Sequence, residues 1–226
     1  YKSASPSQAI EKLNQLKAIA PDCLEADKEL AEVYYATNRF GKAADTYAKF
    51  INTPVATEDD ILKYAFALFL NHDFEKSLAV AQKGLQKNAR HAAFNRLVMY
   101  NNVDLKRYDE VEKAADAFFN ASDNADYSCL DYRYHGALLS ALKKYDQAIE
   151  EYGKALEKDE SQVDLWREIA DAYELKNDYT QAIAAYKKYY DSLAQDKKTS
   201  ENLFQLGRLY YGEGTSSDTL SVQSAD

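Results

Sequence analysis

The sequence predicts an all-α fold built from repeated pairs of antiparallel helices, and two observations lead to this prediction. The first is composition, because the 226 residues include only 7 glycines and 3 prolines, whereas average usage would give about 16 and about 11. Sheet-rich folds need both residues at their many turns, so this composition disfavours them. The second is a pattern of aromatic and small residues that recurs with a period of 34 residues, which is typical of stacked helical units.

Each repeated unit is predicted to end in a helix that begins at an aromatic residue. These aromatic residues are separated by 34, 34, 37 and 34 positions: Phe40, Phe74, Tyr108, Tyr145 and Tyr179. A column of small residues lies three positions further on, and mostly apolar residues follow four and seven positions after it. That i, i+4, i+7 spacing marks one face of an α-helix. The small column contains Ala43, Ser77, Val111, Ala148 and Ala182, and a step of 34 backwards reaches Ala9.

A second pattern predicts another helix in front of each of these. An apolar column and, directly after it, a column of mostly small residues repeat along the chain with the same period. The apolar column contains Leu30, Tyr64, Val98, His135, Ile169 and Leu206, and the following column contains Ala31, Ala65, Met99, Gly136, Ala170 and Gly207. Small residues let the two helices of a unit approach closely, and neighbouring units then bury the apolar faces.

The pattern predicts about twelve helices in a single solenoid over residues 1–211. Complete units lie near 24–57, 58–91, 92–128, 129–162 and 163–199, with half-units at 7–21 and 200–211. The third and fifth units each contain three extra residues, which could lengthen a helix or enlarge a loop. Gly and Ser residues over 212–226 predict a flexible tail. Because both ends fall inside a repeat, we expect a segment of a longer solenoid, or end helices covered by partners or by self-association.

The fifth unit resembles a known repeat family. It contains Trp166-x2-Ile169-Ala170-x2-Tyr173 followed by Ala182, and this pattern is similar to the tetratricopeptide repeat. The resemblance spans about residues 7–211 and implies a right-handed α-solenoid whose first helices line a concave groove. The degenerate repeats, rich in Asn, Asp, Lys and Tyr, also resemble exported bacterial proteins. That resemblance implies the periplasm or cell envelope.

The third unit departs most from the family pattern. Met99, Asn102 and Val111 replace the usual small, aromatic and small residues, and Ala115 and Phe118 have exchanged large and small positions. Because helix pairs pack through complementary large and small side chains, we expect this unit to pack less well than the others.

The reactive residue types predict no catalytic, cofactor-binding or metal site. His72 and His91 fall near turns, His135 lies in an apolar column, and Cys23 and Cys129 are three units apart. The sequence contains no HExxH, GxxxxGK[ST], GxGxxG or GxSxG motif, each of which would indicate a particular chemistry. We therefore predict a protein that is not an enzyme and that uses no cofactor.

Charge and hydropathy argue against two kinds of partner. The sequence has 28 Lys and Arg against 37 Asp and Glu, a net charge of −9, which is unsuited to nucleic acid. It contains no run of 18 apolar residues, so direct membrane insertion is not predicted. The prediction that remains is a protein or peptide partner.

By the family's geometry, three columns of the first helices face the groove and supply the candidate binding residues. The first column is mostly basic, and the next two add aromatic and acidic side chains. The candidate peptide-binding residues are Lys28, Tyr35, Leu62, Phe66, Phe69, Arg96, Tyr100, Arg133, Arg167 and Asp171. An extended partner with an apolar anchor beside a carboxylate or acidic residue would suit this combination.

Other interpretations compete with this one. Lys28 with Glu32, and Arg167 with Asp171, have the spacing of ordinary surface pairs within one helix. The other two arginines of the column have no acid four residues on, so they are the stronger groove candidates. A glycan-binding, uptake-associated repeat protein of the bacterial envelope is an alternative that would need exposed aromatic platforms. The accessory repeat region of a larger enzyme is another.

Overall fold

The computed structural model describes residues 5–121 and 127–223, and its regular structure over these ranges is helical. Twelve α-helices and one short 3-10 helix occur in the described residues. They are α1 (Pro6–Ile19), α2 (Leu24–Ala36), α3 (Phe40–Phe50), α4 (Glu58–Leu70), α5 (Phe74–Lys87), α6 (Ala92–Asp104), α7 (Tyr108–Ala121), α8 (Cys129–Ala141), α9 (Tyr145–Lys158), α10 (Asp164–Leu175), α11 (Tyr179–Ser192), the 3-10 helix (Gln195–Lys197) and α12 (Ser200–Gln223). The prediction of an all-α solenoid fold with about twelve helices is confirmed.

The chain divides into two compact units, residues 1–125 and residues 126–226. The first unit contains α1 and the helix pairs α2–α3, α4–α5 and α6–α7. The second unit contains the pairs α8–α9 and α10–α11, followed by α12. Within each unit the two helices of a pair pack together and successive pairs stack, so each pair relies on its neighbours to cover its apolar faces.

Every complete pair turns through the same three-residue connection. Its middle residue has a positive φ of 57 to 64°, and these residues are Asn38, His72, Lys106, Lys143 and Asn177. In the first pair the N–H of Asn38 donates to the carbonyl of Tyr35 at 3.0 Å, and the N–H of Arg39 donates to that of Tyr34 at 2.8 Å. The other four turns repeat both bonds, which together form a Schellman motif. Glycine is the usual residue at this position, so the turns are built with other residues at some cost in strain.

Replacing Lys106 or Lys143 by glycine should therefore stabilise the protein. Both lysines have the left-handed conformation, with φ of 57° and 60°. We expect each change to raise the free energy of unfolding by about 0.5–1 kcal/mol, because released strain outweighs the added entropy of the unfolded chain. Lys113→Gly, inside helix α7, should lower it by about 1 kcal/mol. Urea unfolding followed by circular dichroism measures all three, and a loss of stability at the turns would contradict this account.

Small residues bring the helices of a pair into close contact, as the columns predict. Ala31 of α2 and Ala43 and Tyr47 of α3 are each 0% exposed. At Gly136 of α8, a Cβ atom would lie 2.6 Å from the ring of Tyr152 in α9. That ring packs directly against the backbone of the facing helix, so only glycine fits there.

The third pair, α6–α7, is tightly packed, contrary to the expectation from its unusual residues. Met99, Val111 and Phe118 are all 0% exposed. The irregularity lies in its polar groups instead. The side-chain oxygens of Asn101 and Asn102 are buried and have no hydrogen-bond partner among the described residues, which costs stability.

The three extra residues of the fifth unit are accommodated by the 3-10 helix between α11 and α12. The corresponding stretch of the third unit, 120–128, lies partly outside the described residues. This one-turn connector lets α12 pack against α11 without lengthening either helix of the pair. In the fifth unit the extra residues therefore enlarge the loop and do not extend a helix.

The structure continues α12 to Gln223, where the sequence predicts a flexible tail over 212–226. Residues 212–223 are helical, and 224–226 lie outside the described residues. Gly212 lies directly against the ring of Tyr179, and Thr180 Oγ1 donates to Glu213 Oε1 at 2.8 Å. Contacts with α11 therefore support this extension, and no proline interrupts it.

Candidate functional site on the first helices

The candidate residues lie on the first helices of the pairs, and we call their surface the groove face of each unit. In the first unit it consists of Lys28, Tyr35, Leu62, Phe66, Phe69, Arg96 and Tyr100, on α2, α4 and α6. In the second unit it consists of Arg133, Arg167 and Asp171, on α8 and α10. Because the two units are separate compact bodies, each groove face is described by itself.

An apolar stripe runs along α4 in the first unit. Leu62 and Phe66 are half-buried, and Leu70, the last residue of the helix, is 41% exposed. Successive spacings of four residues place the three side chains on one side of the helix. We call them the α4 stripe. Leu70 is absent from the candidates derived from sequence, although its spacing from Phe66 is the signal that could have found it.

Phe69 and Tyr100 do not extend this stripe on the surface. They are 8% and 2% exposed, and their ring centroids are 5.5 Å apart. Phe69 also contacts the ring of Phe74 at 5.7 Å. Tyr35 is half-buried, lies edge-on to Phe40 at 5.8 Å, and has its pKa raised by burial. Most of the expected aromatic stretch is therefore packing between helices, and Phe66 is its accessible member.

Lys28 binds a buried carboxylate of the next helix pair. Its Nζ lies 2.7 Å from Asp60 Oδ2, and the Asp60 side chain is 2% exposed. The backbone N–H and the hydroxyl of Thr57 also donate to Asp60, at 2.7 and 2.6 Å. Burial raises the pKa of Asp60, but the bonds from Lys28 and Thr57 lower it by more, so it lies below the ordinary value. Lys28 thus links two pairs instead of pairing with Glu32.

Glu32 accepts hydrogen bonds from other partners. Lys63 Nζ lies 2.8 Å from Glu32 Oε2 and 2.8 Å from Asp59 Oδ2. The hydroxyl of Tyr47 donates to Glu32 Oε1 at 2.9 Å, and burial together with this bond raises the pKa of Tyr47. The network places an ammonium group on α4, directly after Leu62 in the chain, and ties α2, α3 and α4 together.

Arg96 packs over an aromatic ring of its own pair. It is half-buried, and its guanidinium carbon lies 5.0 Å from the centroid of the Phe118 ring. Such a cation–π contact is worth about 0.5–2 kcal/mol and fixes the orientation of the side chain. Arg96 lies one helical turn before Tyr100, whose ring contacts Phe69 of α4. It therefore adds a positive charge to α6, next to the helix that carries the α4 stripe.

The second-unit groove face is more polar. Arg133 forms two hydrogen bonds with Glu168 Oε1, from Nε at 2.9 Å and from Nη2 at 2.5 Å. Arg167 is exposed, with its guanidinium carbon 5.7 Å from the centroid of the Tyr189 ring, and Asp171 is also exposed. Arg133, a strong candidate because no acid follows four residues later, is thus neutralised across the stack.

The charged partners that sequence reasoning missed belong to adjacent pairs. Hydrogen-bonded charges are separated by 32 residues for Lys28 and Asp60, and by 35 residues for Arg133 and Glu168. Arg208 of α12 donates to Glu174 of α10 across 34 residues. Opposite charges one repeat apart are the signal that could have found them, because stacking places equivalent helices side by side.

The described residues supply no group of three or more His, Cys, Asp or Glu side chains arranged to hold a metal ion. Cys23 and Cys129 are free thiols, and burial raises the pKa of Cys129. His135 Nδ1 lies 3.0 Å from Glu151 Oε2, inside the α8–α9 pair. No helix in the described ranges combines the length and the apolar character that crossing a bilayer requires.

Stacked helix pairs with an accessible face on their first helices define the class of helical-repeat scaffolds for protein interactions. Residues 135–197 match the family model of the tetratricopeptide repeat. The match covers the greater part of the α8–α9 and α10–α11 pairs. Over these residues the resemblance to the tetratricopeptide repeat noted in the sequence is confirmed.

Solved structures share this fold. A tetratricopeptide repeat protein from Parabacteroides merdae ATCC 43184 is 16% identical, with a TM-score of 0.66 over 92% of this chain and 80% of that one. Residues 41 to the end of MamA from Desulfovibrio magneticus RS-1 are 15% identical, with a TM-score of 0.64 over 76% of this chain and 95% of that one. At these identities the likeness concerns the fold alone. Comparison with curated proteins gives no match.

Proposed function

We propose that this protein is a non-catalytic interaction scaffold that binds a peptide or protein segment on the groove face of its first unit. The observation that carries the proposal is the α4 stripe, Leu62, Phe66 and Leu70. These side chains belong to the first-unit groove face, and they are only partly buried. Partly uncovered apolar groups on an otherwise polar face are typical of interaction sites.

Charges around the stripe define the partner further. Lys63 is 28% exposed and directly follows Leu62, and Arg96 lies on the neighbouring helix α6. Both cations already contact groups of this chain, so a partner carboxylate would share them with those groups. We propose a segment with an apolar anchor residue beside an acidic residue or a terminal carboxylate.

Two observations favour a protein segment over a glycan. Glycan binding needs exposed aromatic platforms, whereas Phe69 and Tyr100 are buried. The ring of Trp166, the single tryptophan, is covered by Lys188, whose Nζ lies 4.1 Å from its centroid. Phe66, which is half-buried, belongs to a stripe of aliphatic neighbours, and this surrounding suits an apolar side chain better than a sugar ring.

A displayed library of random peptides tests the groove proposal. Selection on the protein should enrich peptides that combine an apolar residue with an adjacent acid or a terminal carboxylate. Phe66→Ser should weaken the selected peptides at least about tenfold, since a central apolar contact is worth 1–2 kcal/mol or more. Ile19→Ser is the matched control, because Ile19 is 85% exposed on α1, and its binding should equal that of the parent. Equal binding by the Phe66→Ser protein would contradict the proposal.

We also propose that the chain associates with itself through its end helices. Leu16 and Ile19 of α1 are 42% and 85% exposed. In α12, Leu203, Phe204 and Tyr211 are 55%, 67% and 75% exposed. Contiguous exposed apolar side chains of this kind favour association between proteins.

A further inference from the structure

The α1 helix has the pattern of a second helix, but its packing stripe is open. Ala9, Leu13 and Leu16 lie one period of 34 before Ala43, Tyr47 and Phe50 of α3. In the five complete pairs this stripe is buried against the first helix: Ala43, Tyr47 and Phe50; Ser77, Ala81 and Gly84; Val111, Ala115 and Phe118; Ala148, Tyr152 and Ala155; Ala182, Tyr186 and Tyr189. In α1, Leu16 is 42% exposed and the other two residues are only half-buried.

The α12 helix has the complementary pattern of a first helix, and its receiving surface is open as well. Gly207 takes the place of Ala31, Ala65, Met99, Gly136 and Ala170, all of which are buried. A Cβ atom at Gly207 would have no described neighbour within 4 Å. On either side of it, Leu203 is 55% and Tyr210 is 44% exposed. In a complete pair, a second helix occupies this surface.

We propose that α1 of one copy docks on α12 of a second copy and completes a helix pair between the two molecules. This inference rests on the proposed self-association and names its two faces. Leu13 has the register of Tyr152, which packs on Gly136, so Leu13 would pack on Gly207. A small residue then faces a larger one, as Gly136 faces Tyr152.

Such an interface joins two different surfaces, so an open chain of copies keeps one free α1 at one end and one free α12 at the other. The association is therefore heterologous, and it extends head to tail when the copies do not close into a ring. A dimer held by two identical faces would stop at two copies. This difference separates the inference from self-association of any other kind.

Two variants test it, each with one face blocked. Leu16→Glu places a charge on the α1 stripe, and Gly207→Glu places one on the α12 surface; both put a good helix former on an exposed helix surface. Sedimentation analysis of the parent protein should show a mass that rises with concentration beyond that of a dimer. Each variant alone should be monomeric, and their equimolar mixture should form a dimer and no larger species. Leu175→Glu, at a residue 55% exposed on α10, should assemble like the parent.

Different failures are distinguishable. A parent protein that stays monomeric at every concentration overturns both self-association and the head-to-tail inference. A parent protein that associates, while the mixture of blocked variants stays monomeric, overturns the inference alone. Dimerisation of either variant alone would also overturn the head-to-tail inference. Peptide binding at the α4 stripe should be unchanged in both variants, which keeps this test independent of the groove proposal. Circular dichroism confirms that each variant is as helical as the parent.

Discussion

Replacing Phe94 by alanine should lower the free energy of unfolding by about 3–5 kcal/mol, the range for removing a fully buried phenylalanine. Phe94 of α6 is 0% exposed, and its ring fills the space above Gly84 of α5, where a Cβ atom would lie 2.5 Å from it. It also contacts the ring of His91 at 4.6 Å. Truncation therefore opens a cavity at the junction of the second and third pairs, which the glycine cannot fill.

Urea unfolding followed by circular dichroism measures this effect. Because Trp166, the single tryptophan, lies in the second unit, its fluorescence midpoint should move less than the dichroism midpoint. Phe204→Ala, at a residue 67% exposed, is the matched control and should change stability by less than about 0.5 kcal/mol. Gly84→Ala alone should destabilise by about 1–3 kcal/mol through overpacking. It should cost less when combined with Phe94→Ala, and strictly additive effects would show that the two sites do not touch.

Replacing Lys28 by methionine should destabilise the protein by about 2 kcal/mol at neutral pH. The change leaves the carboxylate of Asp60, whose side chain is 2% exposed, with Thr57 as its remaining donor. Breaking a buried ion pair from one side costs about 3–5 kcal/mol. We expect less here because the Lys28 side chain is 29% exposed, so water can reach the site. Lys113→Met, on the exposed side of α7, is the control and should be nearly neutral.

The loss of stability caused by Lys28→Met should depend on pH, and the direction of this dependence follows from the pKa of Asp60. In the parent protein its folded pKa is lowered, so its contribution to stability is full above the ordinary carboxyl range and is lost as pH falls through the folded pKa. Without Lys28, its hydrogen bond and its charge no longer lower the pKa of Asp60, so that pKa rises. The penalty should therefore be largest above about pH 5 and should shrink towards pH 3 as Asp60 becomes protonated. A penalty independent of pH would mean that lost packing, not the unpaired charge, causes it.

Most of the helical architecture can be predicted from local sequence. The second helices begin at the aromatic column, Phe40, Phe74, Tyr108, Tyr145 and Tyr179. Inside a pair, a small residue of one helix receives a large side chain of the other, with Gly136 against Tyr152 as the clearest case. These features are predictable because each depends on a period or a contact within one helix pair. The non-glycine turn residues, such as Lys106 and Lys143, were not predicted, because their positive φ follows from how the two helices meet.

The accessible groove candidates were harder to predict, because the neighbours of a cation in the stack decide whether its charge is paired. Within one helix, Arg133 has no acidic partner, yet Glu168 of the next pair binds it. The spacing of four residues offers Glu32 as an ion-pair partner of Lys28, but Lys28 instead binds Asp60. In the same way, Phe69 and Tyr100 belong to a groove column but are covered by each other. Residues predicted to be accessible in the groove can thus be buried or paired by contacts with adjacent helix pairs.

The sequence by itself determined the all-α repeat fold and its resemblance to the tetratricopeptide repeat, because the period of 34 residues and the alternation of large and small columns are local and repeated. Only the tertiary structure decided which groove side chains stay accessible, since that depends on residues about one repeat away brought into contact by stacking. It left Leu62, Phe66 and Leu70 partly uncovered, and it paired the candidate cations Lys28 and Arg133 with carboxylates of adjacent helix pairs. It also left the stripe of α1 and the Gly207 surface of α12 open, because neither has a facing helix among the described residues.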